Sequence, residues 1–185
     1  MTIRLITVKP EVFVLCYNMG MGNTVGSRTR TLHESEWAYI AGFFDGDGSL
    51  IVQIKNRRDT TRGWRIMFTI CFYQDSRHKQ PLEWMREILN AGYISDRNDG
   101  ITELRINGYG QVKQILSNMH PYIRFKSKQV AYALKMLEVL ENQSFLSLPI
   151  NVRFRLATWF NKLRAANYKS HHKSSDERVL ELLTK

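Results

Sequence analysis

The chain has 185 residues, of which 43% are apolar and 24% charged, a composition typical of one globular domain. Lys and Arg number 27 and Asp and Glu 17, so the formal net charge is +10. This excess favours a polyanionic partner, nucleic acid before a membrane surface, over charge that serves solubility alone. The two cysteines lack paired spacing, which fits a reducing compartment and argues against a disulfide scaffold. No run of roughly 18 apolar residues occurs, so no membrane span is predicted.

Residues 1–30 differ from the rest of the chain. An apolar, β-prone stretch interrupted by Pro10 precedes a glycine-rich segment, and neither the basic start nor the cleavage site of a secretory signal is clear. We predict an N-terminal extension over residues 1–30 and assign it no role. The main domain is predicted over residues 31–168. Residues 169–185 are predicted to form a basic linker, with the phosphate-contacting or solvated pair His171 and His172, and a short final helix.

The main domain is predicted to begin with a helix. Thr31 and Glu34 have capping-box spacing, and Ser35 is a second N-cap candidate. The helical pattern ends near Asp45. Strand-like alternation of apolar and polar residues begins after Gly48.

Two glycines and two aspartates mark the end of this helix. Gly42 and Gly46 are four residues apart, so both lie on one helix face, where a second backbone can approach closely. If this helix contacts its copy in another chain, the acids that follow it come together, and two such acids repel unless a hard divalent cation lies between them. Of the pair Asp45 and Asp47, we expect Asp45 to be structural. The alternative is a buried helix with a glycine C-cap and two solvated aspartates.

The remaining elements alternate between hairpins and helices. Residues 48–57 and 64–74 alternate as two strands of a hairpin, and a second hairpin turns at Asn98-Asp-Gly100. Between them, Asp75-Ser76 signals a helix start with Pro81 in the first turn. In the first hairpin, alternation predicts one apolar face on each strand, formed by Leu50, Val52 and Ile54 and by Trp64, Ile66, Phe68, Ile70 and Phe72. Further helices are predicted over residues 110–119, 127–141, 149–167 and 176–183, with Leu134 among the inward residues of the second.

This order predicts an α+β protein with an αββαββα core and extra C-terminal helices. An antiparallel sheet with helices packed on one face satisfies the pattern. The opposite sheet face is polar and basic, and a two-stranded β-ribbon fits the major groove of DNA. No internal repeat is found, and the Gly-Asp-Gly motif occurs once.

Residues 39–48, with the sequence YIAGFFDGDG, closely resemble the signature of the LAGLIDADG homing endonucleases. The order of elements from about residue 32 to residue 167 is similar to the core of that family. The resemblance implies a saddle-shaped sheet on double-stranded DNA and metal-dependent phosphodiester hydrolysis with Mg²⁺ or Mn²⁺. Since one motif gives one metal-binding carboxylate, it also implies a homodimer on a long pseudo-palindromic target, cut with 3′ overhangs.

The resemblance implies a set of catalytic residues. Asp47 and the carbonyl of Gly46 would bind the metal, and Gln74 would help hold the attacking water. His78 stands near the scissile phosphate, and Lys126, within a Pro-aromatic-apolar-basic stretch, completes the pocket. Metal ions that bridge the attacking and leaving oxygens supply most of the stabilisation that such hydrolysis needs.

His78 departs from the arginine that is commoner at its position. A neutral histidine neutralises a phosphate less than arginine does, so its role is open. Arg77 or Lys79 is expected to compensate. The alternatives are a plain strand-end residue for Gln74, a solvated lysine for Lys126 and a surface histidine for His78.

The polar positions of the predicted sheet supply candidates for DNA contact. Arg or Lys is expected on guanine and Gln on adenine. The DNA-binding candidates are Gln53, Lys55, Arg57, Arg65, Thr69, Arg97, Glu103, Arg105 and Lys128. The dimer-interface candidates, from the glycine face of the first helix, are Tyr39, Gly42, Phe43 and Gly46.

Two other functions are compatible with the same sequence pattern. One is an RNA-binding maturase that assists the splicing of its own intron, and the other is a DNA-binding regulator that has lost cleavage. The presence of Asp47, Gln74 and Lys126 together favours the endonuclease, because a regulator does not need them. The sequence does not give the target site, the host gene or an intron origin. It also does not distinguish an organelle from the prokaryotic cytoplasm as the compartment.

Overall fold

The computed structural model describes residues 31–58, 60, 62–167 and 176–184. These residues belong to a compact unit that begins at Thr31. The predictions for residues 1–30 and for the linker with His171 and His172 lie outside the described residues. Among the helices that are described, none is long and apolar enough to cross a membrane.

The described chain has the predicted αββαββα order followed by three more helices, so the α+β prediction is confirmed. Short 3-10 turns occur at Ser76–His78, His120–Tyr122 and Phe145–Ser147. The main elements are α1 (Glu34–Asp47), β1 (Gly48–Asn56), β2 (Trp64–Asp75), α2 (Gln80–Leu89), β3 (Tyr93–Asp96), β4 (Ile101–Asn107), α3 (Tyr109–Met119), α4 (Ser127–Asn142), α5 (Ile150–Ala166) and α6 (Asp176–Thr184).

The start of α1 differs from the prediction. The N-cap is His33, whose ring nitrogen Nδ1 accepts the N–H of Ser35 at 3.4 Å, while the Glu36 carboxylate accepts the N–H of His33 at 2.8 Å. The prediction of Thr31 or Ser35 was wrong because an imidazole nitrogen here accepts the hydrogen bond that a Ser or Thr oxygen usually accepts. The helix also continues two residues beyond the predicted end, to Asp47.

The two hairpins form one antiparallel sheet with the order β1-β2-β4-β3. Gly48 pairs with Phe72 across the first hairpin, and Thr69 pairs with Asn107 where the hairpins meet. The predicted inward face of the first hairpin is buried at Leu50, Val52, Ile66, Phe68, Ile70 and Phe72, whereas Ile54 and Trp64 of that face are only half-buried. Leu104 and Ile106 of β4 continue the buried face across the sheet.

The core lies between this apolar sheet face and the helices. Phe44 of α1 packs edge-on against Phe72 at 6.0 Å between ring centroids, and both are fully buried. Burial of one such side chain contributes about 1.5–3 kcal/mol. On α4, Met136 and Gln129 are buried while Leu134 is only half-buried, which corrects the predicted inward set. The Gln129 amide is satisfied there because it donates to the Ala166 carbonyl at 2.9 Å.

The region between the hairpins corrects a second boundary. Asp75-Ser76 begins a 3-10 turn, and α2 starts only at Gln80 with Pro81 in its first turn. The carboxylate of Asp75 caps the turn by accepting the N–H of Arg77 at 2.9 Å. His78 therefore lies in a tight turn directly after the end of β2.

Candidate active site

Asp47 lies where α1 ends and β1 begins. The side chain is exposed, as is the preceding Gly46. Gly48 is buried and pairs with Phe72, and Gln74 follows Phe72 two residues further along β2. The register therefore brings Asp47 and Gln74 to the same end of the sheet.

The neighbouring carboxylate, Asp45, has a different environment. It accepts the backbone N–H groups of Arg124 at 2.5 Å, Phe125 at 3.1 Å and Lys126 at 3.0 Å. Lys126 is the N-cap residue of α4, so Asp45 holds the segment that leads into this helix from another part of the chain. This geometry gives Asp45 a structural role.

The side chain of Lys126 in turn binds the C-terminal end of α1. The ammonium group Nζ donates to the carbonyl oxygens of Phe44 at 2.9 Å and Asp45 at 2.6 Å, at the helix end where a cation is favoured. Burial lowers the pKa of Lys126, while Asp45 and Asp47 oppose that shift. We call the two sets of bonds, from Asp45 to residues 124–126 and from Lys126 to α1, the α1–α4 clamp. It fixes the Lys126 ammonium beside the helix end that bears Asp47.

Gln74 lies near the end of β2, half-buried and opposite Thr102 of β4. The side-chain oxygen Oε1 accepts the N–H of Asp75 at 2.8 Å. This bond orients the amide at the same strand end as Asp47. The assignment of Gln74 to the attacking water stays a prediction.

His78 is exposed, and the basic residues expected to compensate for it have carboxylate partners. Arg77 donates through Nε and Nη2 to Asp75, at 3.0 and 2.7 Å. These bonds hold the pKa of the Asp75 carboxyl well below its usual range. Lys79 lies 3.7 Å from Asp96 of β3. If Arg77 or Lys79 contacts a phosphate, its cationic group must bind the phosphate and its carboxylate partner at the same time.

The predicted dimer face of α1 lies at the protein surface. A Cβ added at Gly42 or Gly46 would have no atom within 4 Å, so no contact inside the protomer requires glycine there. Tyr39 is 50% exposed and contacts Trp84 edge-on at 5.5 Å, and Phe43 is half-buried. Sequence reasoning missed a further apolar residue, Phe125, which is 83% exposed although its N–H is held by Asp45.

Five of the nine DNA-binding candidates are exposed along the sheet or its turns: Gln53, Lys55, Arg57, Arg65 and Arg97. Arg65 pairs across the hairpin with Lys55, and the guanidinium of Arg65 stacks 4.9 Å from the Tyr109 ring centroid. Arg105 is half-buried on β4. Lys128 is exposed but lies in the first turn of α4 and not on the sheet.

Two candidates, Thr69 and Glu103, are almost completely buried on the polar sheet face. The Thr69 hydroxyl donates to the Asn107 side-chain oxygen at 2.6 Å. The Glu103 carboxylate accepts hydrogen bonds from Arg97 and Arg105. The prediction missed the neighbouring pair Ser49 and Tyr73, whose hydroxyls lie 3.1 Å apart, although strand alternation places both on this face.

Within the described ranges, no group of three or more His, Cys, Asp or Glu side chains is arranged to hold a metal ion. The oxygen donors at the end of α1 are one exposed carboxylate, Asp47, and the backbone carbonyl of Gly46. Both are hard donors of the kind that Mg²⁺ prefers, but two ligands do not complete its octahedral shell. A cation held there needs ligands from outside this chain.

The fold and the site define an αββαββα protein in which an acidic helix end meets a polar, basic sheet face. A family model described as LAGLIDADG endonuclease matches residues 40–139. The chain belongs to the LAGLIDADG endonuclease family.

Individual relatives agree with this membership. The chain is 26% identical over 150 residues to DNA endonuclease I-CreI of Chlamydomonas reinhardtii. This match covers 78% of this chain and 86% of that protein. It is 28% identical over 107 residues to DNA endonuclease I-CvuI of Chlorella vulgaris, covering 58% and 66%. The fold is similar to a crystal structure of I-CvuI in complex with the I-CreI target with 2 mM Mg and uncleaved DNA. That match has a TM-score of 0.70 and 25% identity, and covers 81% of this chain and 93% of the other.

Proposed function

We propose that the protein is a site-specific homing endonuclease that hydrolyses both strands of a long, pseudo-palindromic DNA target as a homodimer and leaves 3′ overhangs. The observation that supports this most directly is the α1–α4 clamp, which holds the Lys126 ammonium beside Asp47 at the end of a helix whose glycine face is open. Family membership and the two DNA endonucleases among its relatives support the same activity.

The proposed cofactor is a divalent metal, Mg²⁺ or Mn²⁺. Asp47 and the Gly46 carbonyl would hold it, and DNA phosphates, water and the partner protomer would supply the remaining oxygens. When bound, such an ion stabilises the negative charge that develops on phosphate and lowers the pKa of bound water. The structure of the relative I-CvuI with uncleaved DNA in the presence of 2 mM Mg supports a divalent metal at this site.

The other residues act through position and charge. The Lys126 ammonium uses two of its three donors on carbonyls of α1, which leaves one to stabilise charge developing at the phosphate. Gln74 orients the attacking water through its amide. His78 supplies a donor near the phosphate, with a cationic contribution only when its ring is protonated.

The proposed dimer follows from the single motif. One chain provides one exposed carboxylate of this kind, whereas cutting two strands needs two. The face formed by Tyr39, Gly42, Phe43 and Gly46 allows two copies of α1 to approach closely, because neither glycine projects a side chain. Phe125, which the clamp holds at the same end of α1, adds exposed apolar surface beside it.

Base recognition is proposed for the polar face of the sheet. Gln53, Lys55 and Arg65 project from the first hairpin and Arg97 and Arg105 from the second. A bidentate contact from such a side chain discriminates between bases by about 1–3 kcal/mol. Arg57 and Lys128 are proposed as additional DNA contacts. Thr69, which is almost completely buried, is proposed to support this face through its bond to Asn107.

Asp47→Asn tests the proposal. The amide keeps the shape of the side chain and removes the charge that would hold the metal, so we expect DNA binding within about threefold of wild type and a loss of cleavage of at least about 10³-fold. Sites cleaved by the wild type would first be selected from a randomised duplex library with Mg²⁺. Binding and cleavage of the selected duplex would then be measured separately.

The matched control is Glu87→Gln, which removes one exposed carboxylate from α2 and should leave both binding and cleavage unchanged. Normal cleavage by Asp47→Asn would contradict the site assignment. Selective binding of intron RNA without DNA cleavage would favour a maturase, and DNA binding without cleavage by the wild type would favour a regulator.

A further inference from the structure

Glu103 lies on the polar face of the second hairpin, between two arginines. Its neighbours across the strands are Tyr73 of β2 and Ser95 of β3. One carboxylate oxygen, Oε1, accepts Nη1 of Arg97 at 3.1 Å, and the other, Oε2, accepts Nη1 of Arg105 at 3.1 Å. Each oxygen therefore holds one guanidinium group.

The carboxylate and the guanidinium groups differ in their access to solvent. The Glu103 side chain is 8% exposed, whereas those of Arg97 and Arg105 are 48% and 37% exposed. The carboxylate thus lies beneath two cations that extend to the surface. A guanidinium has five N–H donors, so an arginine that spends one on Glu103 keeps others for a second partner.

This arrangement limits the freedom of both arginines before any ligand binds. Because each oxygen of the Glu103 carboxylate accepts from one guanidinium, it holds each of the two arginines in one orientation. Arg97 is held further by Asp99 at 2.6 Å and by the backbone bond from its N–H to the Ile101 carbonyl at 2.8 Å. Ordering a long side chain in advance removes part of the entropic cost of binding.

We propose that Glu103 is a specificity-determining positioning residue, which fixes Arg97 and Arg105 as a pair of guanine readers and does not itself contact a base. This inference rests on the proposed function, since it assumes that the polar sheet face reads DNA. A direct contact from Glu103 to cytosine would require a carboxylate oxygen at the surface, and both oxygens lie beneath the arginines that they bind.

The test compares base preferences among variants. Sites would be selected from a randomised duplex library with wild-type protein, and the full chains of Arg97→Ala and Arg105→Ala would identify the position in each half-site that each arginine reads. Glu103→Gln replaces one of the two carboxylate oxygens by an NH2 group, which cannot accept from a guanidinium. We expect preference at these positions to fall by roughly tenfold or more, with the other positions unchanged.

Asp99→Asn is the matched control, because it removes the exposed carboxylate partner of Arg97 and should leave the position read by Arg105 unchanged. The proposal is overturned if Glu103→Gln leaves both arginine positions intact, or relaxes a position that neither arginine variant affects. Should Glu103→Gln not fold, Glu103→Asp keeps the charge but withdraws it by one methylene, and the same criteria apply. If the wild type selects no sequence, the proposed function itself fails and this inference with it.

Discussion

Asp45 and Asp47 are two residues apart and bear the same charge, but their neighbours give them different roles. Three backbone N–H groups surround Asp45, whereas Asp47 is exposed at the end of α1. A carboxylate that accepts several N–H bonds has little capacity left for a metal. At the scale of single residues, hydrogen-bond partners therefore separate the structural acid from the proposed metal ligand.

Asp75 allows a prediction about pH. Because Arg77 donates to its carboxylate, the pKa of Asp75 is lowered from its ordinary value of 3.8. A carboxyl with a depressed folded-state pKa stabilises the fold above its unfolded pKa, and this contribution is lost as the pH falls through the folded-state pKa. We expect Asp75→Asn to be less stable than wild type near pH 7, with a difference that becomes smaller as the pH falls below 3.8.

Urea unfolding of both proteins across this range would measure the difference. Asparagine is nearly as good an N-cap as aspartate, so the variant isolates the charge. Arg77→Gln removes the same ion pair from the other side and should give the same pH dependence. A stability difference that is constant from neutral to acid pH would exclude this explanation.

At the scale of elements, the α1–α4 clamp joins two helix ends of opposite polarity. Asp45 meets the positive end of α4, and Lys126 meets the negative end of α1. The bonds are reciprocal, so loss of either side chain weakens both helix ends. The clamp thus links the stability of the domain to the position of Lys126.

Asp45→Asn tests this link. An amide has one acceptor oxygen in place of two, so at least one of the three N–H groups loses its partner, and loss of a hydrogen bond typically costs about 0.5–1.5 kcal/mol. We expect the free energy of unfolding to fall by that amount, with a reduction in kcat for DNA cleavage larger than any change in KM. Asp47→Asn is the control, since it removes a carboxylate from the same helix end without touching the clamp and should keep wild-type stability. Equal stability of the two variants would contradict the clamp.

The glycines of α1 provide a second prediction for this element. Alanine at Gly42 or Gly46 enters open space and improves helix propensity, so each substitution should stabilise the isolated protomer by about 0.5–1 kcal/mol. The same methyl group obstructs close approach of a second α1, so the proposed dimer should weaken. Urea unfolding of the monomeric variant and sedimentation velocity would measure the two effects.

Gly48→Ala is the contrasting control. A Cβ at this position would lie 2.7 Å from the Phe44 Cα atom, so the protomer itself should be destabilised. If Gly42→Ala and Gly46→Ala dimerise as well as wild type, the interface lies elsewhere on the molecule.

At the scale of the whole molecule, charge is the dominant feature. Each chain has a formal net charge of +10, so the proposed dimer has twice that charge. Phosphate contacts by Lys and Arg release counterions, which makes DNA affinity depend on salt. Exposed cations on both hairpins are consistent with such contacts.

We therefore expect the logarithm of the DNA association constant to fall linearly with the logarithm of salt concentration. A complex with roughly six to ten phosphate contacts loses about 10³–10⁵-fold in affinity between 50 and 200 mM salt. Fluorescence anisotropy with a labelled duplex would measure the slope. Lys128→Ala should reduce it by about one per protomer, because this exposed lysine lies off the sheet and is proposed to contact the DNA backbone. A slope near zero would contradict a phosphate-dominated interface.

Most of the fold was predictable from sequence because its signals are local. Alternation of apolar residues defined both hairpins, and the turn at Asn98-Asp-Gly100 agrees with the positive φ of 80° at Gly100. The predicted helix boundaries were less accurate. At the start of α1, for example, the N-cap is His33 and not the more usual Ser or Thr. The αββαββα order and the family follow from these local patterns together with the signature at residues 39–48.

Tertiary structure decided what local pattern cannot encode. Asp45 and Lys126 are 81 residues apart in the chain, and only the fold brings the segment before α4 to the end of α1. Strand alternation assigned Thr69 and Glu103 to the polar face correctly, but it does not describe the side chains that cover them there. Burial on a polar face depends on side chains from neighbouring strands. Only the folded sheet therefore shows that Arg97 and Arg105 reach the surface whereas Glu103 lies beneath them and holds them.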